Sequence, residues 1–131
     1  FNAHDVAAIV ALYADNAELF DSGMKRPRHG RNEIEQWFTT RFRTIPTITY
    51  KPHRLIVEDN QGGQAADTWT THGHGPRLLR LPLFTRSFHI DGVSIFTLRD
   101  GHIQQQRGYY DHLSVLEQLL PFLKWLLPRR L

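Results

Sequence analysis

The stretch Asn16-Ala17-Glu18-Leu19-Phe20-Asp21-Ser22-Gly23 carries an apolar run that stops on a carboxylate. Two roles fit Asp21: a base at the mouth of a pocket, or an Asx-turn acceptor for the Ser22–Gly23 turn. His53 lies in a run that places it on one strand face with Leu55 and Val57. An imidazole titrates near neutrality and can pass a proton in either direction, so it can serve as acid or base. Beside two aliphatic neighbours, His53 reads equally well as a satisfied core residue. His72 and His74 are two apart and point to the same side of a strand. His-x-His also occurs among metal ligands, with His53, His89 or Asp21 available to complete a set. Two ligands at so common a spacing do not define a metal site, and none is expected. The other reading makes them exposed strand-end residues before a Gly-Pro exit. Trp37, Phe38 and Trp69 read as core or pocket wall, and the Arg-rich loop 26–31 as a solvated loop or an anion-binding rim.

These residues need elements to position them. Residues 5–14 show apolar positions at helical spacing, Val6, Ile9, Val10 and Tyr13, with Asp5 as a cap. Residues 16–21 follow as a strand, and 22–31 as a turn or loose hairpin. A second helix is expected over 32–42, capped by Asn32, with Ile34, Trp37, Phe38 and Phe42 on one face. After Pro46 the period changes from 3.6 to 2. Strands are expected over 47–58, 65–74, 83–99 and 102–111, with a turn at 59–64 and a loop or ragged strand end at 75–82. Gly92 suggests a bulge or bend, and Asp100–Gly101 a tight hairpin turn. Residues 113–128 form an apolar terminal helix, broken or kinked at Pro121. Asp111 reads as a helix-start residue, with a capping-box spacing at Ser114 and Glu117. Helices, then four antiparallel strands, then a helix make an α+β plan in one domain, 1–131.

A chain of 131 residues can bury about two thirds of its unfolded surface in one core. With 40% hydrophobic and 22% charged residues it belongs to the globular class. The net charge is +3 and 13 of the 16 basic residues are Arg, yet they are scattered singly among acids. The basic clustering that nucleic-acid binding needs is weak, so no nucleic-acid partner is expected. No cysteine occurs, so disulfide and thiolate chemistry are excluded and a reducing, cytoplasmic setting is compatible. No run of 18 apolar residues exists to span a membrane. The apolar terminal helix must be covered, by the sheet or by a second subunit, with a membrane-surface anchor ending in Arg129 and Arg130 as the smaller option.

The opening, Phe1 to Gly23 followed by residues 29–38, resembles the SnoaL-like and ketosteroid isomerase-like proteins of the nuclear transport factor 2-like superfamily. Residues 96–111 and the run 116–120 look like that family's closing hairpin and terminal helix. The resemblance implies a cone: a curved antiparallel sheet wrapped around N-terminal helices, with a pocket at its wide end and one further helix upstream of Phe1. Asp21 matches the carboxylate that moves a proton in the isomerases. A partly desolvated carboxylate is a stronger base than one in water. Ser94 stands where the isomerase has its protonated acid, and Tyr110 falls on a position that is aromatic and pocket-facing in the isomerases. Serine is the weaker donor. His53 resembles the strand histidine of the dehydratase branch, and His72 or His74 its second histidine. That branch carries a carboxylate where Asn2 stands and a tyrosine where Asp21 stands, so the match is a hybrid. Gly108 replaces an aspartate that the family's epoxide hydrolases need, which speaks against that chemistry.

The expectation is therefore a cofactor-independent acid–base enzyme of isomerase, dehydratase or cyclase type, acting on a small apolar carbonyl or hydroxyl compound. Asp21 would be the base, with His53 and His72 or His74 beside it; Tyr110, Trp37, Trp69, Ser94 and Phe96 would hold the ligand. A homodimer fits the family. The rival is a non-catalytic binding module of the same fold.

Overall fold

The structure is a computed structural model and describes residues 1–58, 63–75 and 86–120. In chain order the elements are α1 (Val6–Val10), β1 (Tyr13–Asp21), β2 (Arg28–His29), α2 (Gly30–Thr44), β3 (Thr49–Val57), β4 (Gln64–His74), β5 (Ser87–Arg99), β6 (His102–Tyr110) and α3 (His112–Leu119). The six strands form one curved, unclosed sheet in the order β2-β1-β6-β5-β4-β3. The run from β3 to β6 is antiparallel, as expected. β1, however, pairs parallel with β6, from Tyr13 opposite Ile103 to Asp21 opposite Gly108. The sheet is therefore mixed. Hairpin logic could not foresee this pairing, because a parallel pair joins segments far apart in the chain.

The first helix is shorter than its periodicity suggests. Asp5 caps it by accepting the Ala8 N–H at 2.9 Å, but the chain leaves the helix after one turn. The Ile103 N–H donates to the Leu12 carbonyl, and Tyr13 opens β1. Tyr13 still packs in the core at 2% exposure, so its apolar position was meaningful even though its backbone state was not helical. Sheet pairing has overridden local propensity here.

α2 begins at Gly30, not Asn32. Its N-cap is His29, whose side chain makes no capping bond. Glu33 instead reaches back to the His29 N–H at 3.0 Å and takes two hydrogen bonds from Arg26. The Arg26 hydrogen bonds, then the His29 N–H, hold the Glu33 carboxyl down at about 2. Ile34, Phe38 and Phe42 bury one stripe of this helix against α1 and the inner face of β1, where Ala17 and Leu19 close the main core.

The Asp100–Gly101 hairpin forms as expected, with φ of 51° and 73° at the two central residues, which the tight turn requires. Gly92 is not a bulge. It stays in register between Trp69 and Tyr110, and the irregularity lies at Thr97–Leu98. The glycine is there for space: a Cβ on it would sit 2.4 Å from two carbons of the Trp69 ring. Asp111 caps α3 through the Leu113 and Ser114 N–H groups, so the cap is Asp111 and not Ser114. The terminal helix is described as far as Leu119; the Pro121 kink, residues 121–128, most of the 59–64 turn and most of the 75–82 loop lie outside the described residues. Among the described residues no helix is long and apolar enough to cross a membrane.

Gly92→Ala should lower the unfolding free energy by about 1–3 kcal/mol, because the indole must move to admit one methyl. Urea titration should show a lower midpoint at unchanged slope.

Candidate active site

Asp21 is the last residue of β1 and shares the inner parity of Ala17 and Leu19. Its Oδ1 accepts the Gly23 N–H at 2.9 Å, and its carbonyl accepts the Met24 N–H at 2.7 Å. The carboxylate is an Asx-turn acceptor, and it also lines a cavity of about 270 Å³. Its Oδ2 lies beside Gly108, 3.7 Å from where a side chain there would begin.

The cavity lies between α2 and the inner face of the sheet. Trp37, Trp69, Ser94 and Phe96 all line it, as the sequence suggested. The Trp69 indole N–H donates to the Ser94 hydroxyl at 2.9 Å, and Ser94 is only 4% exposed. Ser94 is therefore already an acceptor, and its own proton remains for another partner. Tyr110 lines a neighbouring space of about 310 Å³ beneath α3, and its ring meets Trp69 edge-on at 6.2 Å. Its hydroxyl nevertheless lies beside Gly23 together with Asp21 Oδ1, and the Asp21 carboxylate and the Arg41 guanidinium both act on it electrostatically. Beside it, His112 Nε2 sits 2.8 Å from the Ser22 hydroxyl, and its ring lies 4.2 Å from the Tyr110 ring.

The three histidines lie elsewhere. His53 falls on the edge strand β3, where Pro52 pairs with Trp69 and Arg54 with Thr68, so His53 is the extra residue of a bulge. It is exposed and pairs with Thr70 at 2.6 Å, and Thr70 donates to Asp91 at 2.5 Å. Leu55 is likewise 65% exposed, so the apolar face inferred for this strand is not buried among the described residues. His72 and His74 do share a side, but it is the exposed one; Thr71 and Gly73 take the buried parity. His72 stacks on His89 across the strands, and His74 pairs with Thr47. None of the three lines the cavity, so the expected meeting of Asp21 with an imidazole from these strands does not occur. No group of three or more metal-ligating side chains comes together among the described residues.

Several polar residues at or behind the cavity wall were not foreseen from the sequence, among them Arg41, Tyr50 and Asp67. Arg41 lines both spaces. Tyr50 also lines the cavity and donates its hydroxyl proton to Asp67, a carboxylate 8% exposed. The other oxygen of Asp67 has no hydrogen-bond partner among the described residues. Both charged residues left a signal. Arg41 occupies a position of the apolar stripe at 34, 37, 38, 41, 42 and 45, and Asp67 alternates with Ala65, Trp69 and Thr71.

The sequence profile of the SnoaL-like domain matches residues 1–106. The chain belongs to the SnoaL-like family. This SnoaL-like chain also shares its fold with solved structures. One is a Catenulispora acidiphila protein with a ketosteroid isomerase-like fold, in complex with trimethylamine: 18% identity over 87% of this chain and 81% of that one, TM-score 0.74. The epoxide hydrolase/cyclase-like SalBIII is 22% identical over 86% and 83%, TM-score 0.70. IdmH of Streptomyces antibioticus, a candidate polyketide cyclase, is 20% identical over 90% and 88%, TM-score 0.73. At these identities the likeness is one of fold. No match to a curated protein accompanies them.

In this SnoaL-like domain, burial pushes the Tyr110 hydroxyl up to about 12, the Asp21 carboxylate adds to the rise, and Arg41 opposes it. Between pH 10 and about 12 an unfolded tyrosine has lost its proton while Tyr110 keeps it, so the folded state binds more protons and stability falls as pH rises. Tyr110→Phe should make this alkaline limb shallower. Burial also raises Tyr13 and Tyr50, so the limb should persist in part. Chemical denaturation across pH 9–12 measures the difference; an unchanged limb would place the Tyr110 hydroxyl in water.

Proposed function

We propose that this SnoaL-like domain is a cofactor-independent acid–base enzyme for a small apolar molecule bearing a carbonyl or hydroxyl. The observation that carries this reading is Asp21, a carboxylate fixed by its turn on the wall of a mainly apolar cavity. The donor beside it is Tyr110, in place of the strand histidines. Its hydroxyl, held up at about 12, keeps its proton at neutral pH and so can donate it in a hydrogen bond.

In the proposed step, Asp21 takes a proton from the carbon next to a carbonyl. The C–H electron pair moves into a C=C bond, and negative charge develops on the carbonyl oxygen. The Tyr110 O–H donates to that oxygen. Return of the proton from Asp21 to a different carbon completes an isomerisation. Loss of a β-hydroxyl as water, using the same proton, completes a dehydration. Attack of the enolate carbon on a second carbonyl closes a ring. Positioned proton transfer contributes about 10²–10⁴-fold, and one well-placed oxyanion donor about 10²–10³-fold.

The family and fold support this class, since SalBIII and IdmH are described as cyclase-like or cyclase proteins. A binding-only module is the second reading. The Asx-turn gives Asp21 a structural role on its own, and two solved neighbours hold trimethylamine and polyporic acid.

Deuterium exchange at the α-carbon of a panel of cyclic ketones and enones, followed by NMR, separates the two. The wild-type chain should exchange at least one of them, and Asp21→Asn should slow that exchange by about 10² or more. No exchange by wild type, or an equal rate in the variant, would leave the binding module.

A further inference from the structure

Arg41 occupies a position that packing alone does not explain. Ile34, Phe38 and Phe42, on the same stripe of α2, are buried in the core. The guanidinium of Arg41 instead lies over the Trp37 ring, 5.6 Å from its centroid, on the wall of the cavity. Arg28 lies over the same ring at 6.0 Å. A guanidinium held over a ring at this distance still has N–H groups to donate away from it.

Those edges have no acid to meet. Arg26, Arg31 and Arg107 each form an ion pair, with Glu33, Asp15 and Glu18. Arg41 forms none within 4.0 Å among the described residues. Asp21 shares the cavity yet stays outside that range. The polar group against Arg41 is the Tyr110 hydroxyl, which can fill only part of the fork. A half-buried, unpaired guanidinium beside apolar walls is a receptor for an anion, because a carboxylate fits the fork with two parallel charge-assisted bonds.

We infer that the cavity selects small flat organic acids, and that Arg41 is the residue that binds their carboxylate. Arg41 is then a specificity-determining residue for the reaction proposed above, on whose cavity, but not on whose turnover, this inference rests. The substrate class narrows to carbonyl compounds that also carry an ionised acid group. The acid docks at Arg41, the flat body lies against Trp69, and the reacting carbon faces Asp21. Asp21 opposes the anion through space, so removing its charge strengthens acid binding.

The test uses the full chain and a pair of nearly isosteric probes, 2-naphthoate and 2-naphthamide, titrated calorimetrically at pH 7. Wild type should bind the carboxylate at least about tenfold more tightly than the amide. Arg41→Gln should bring the two affinities together. Asp21→Asn should keep or enlarge the preference while losing deuterium exchange, so this inference and the catalytic reading can fail separately. Arg41→Lys keeps the charge but loses the fork, and should retain only part of the preference; it carries the test if Arg41→Gln does not fold. Equal affinities in wild type, no binding of either probe, or a preference that survives both Arg41 substitutions overturns the inference.

Discussion

The parallel pairing of β1 with β6 is the constraint on which the site depends. It sets Asp21 opposite Gly108. It also brings the end of β1 under the Tyr110 ring, because Ser22 accepts from the Tyr110 N–H and Gly108 accepts from the Ser22 N–H. Without this pair the carboxylate would sit at the end of a free hairpin. With it, four positions from distant parts of the chain, Asp21, Arg41, Trp69 and Tyr110, come within one neighbourhood. The lack of a side chain at Gly108 keeps the approach to Asp21 open.

A second layer of packing supports this arrangement. Trp69 lies on the bare backbone of Gly92, bonds Ser94 through its indole, and touches both Tyr50 and Tyr110 with its ring. One side chain thus fixes the cavity wall from three directions. Such a contact is close-packed and specific, and it depends on an absent methyl as much as on the groups present.

Most of the fold was legible in the sequence, and part of the site. The antiparallel run from β3 to β6 followed from a period of 2 and a tight turn at Asp100–Gly101, both local signals. Asp21 and the aromatic lining followed from position and type. The parallel strand did not, since its partner lies about ninety residues away. The histidines show a different limit. Alternation groups His72 with His74 but cannot say which side faces inward; Thr71 and Trp69 hold that side. At His53 a one-residue bulge breaks the alternation altogether. Arg41 and Asp67 were overlooked because charge suggested solvent, although both sit at apolar positions of their own periodic patterns.

The turn that holds Asp21 has a stereochemical consequence. Its Oδ1 is tied to the Gly23 amide, so the carboxylate cannot spin, and Oδ2 remains at the side of Gly108. A proton that leaves a flat ligand for this oxygen and later returns from it has one direction of travel. In the proposed reaction both events would then happen on the same molecular face, and any centre created by the return would carry a single handedness.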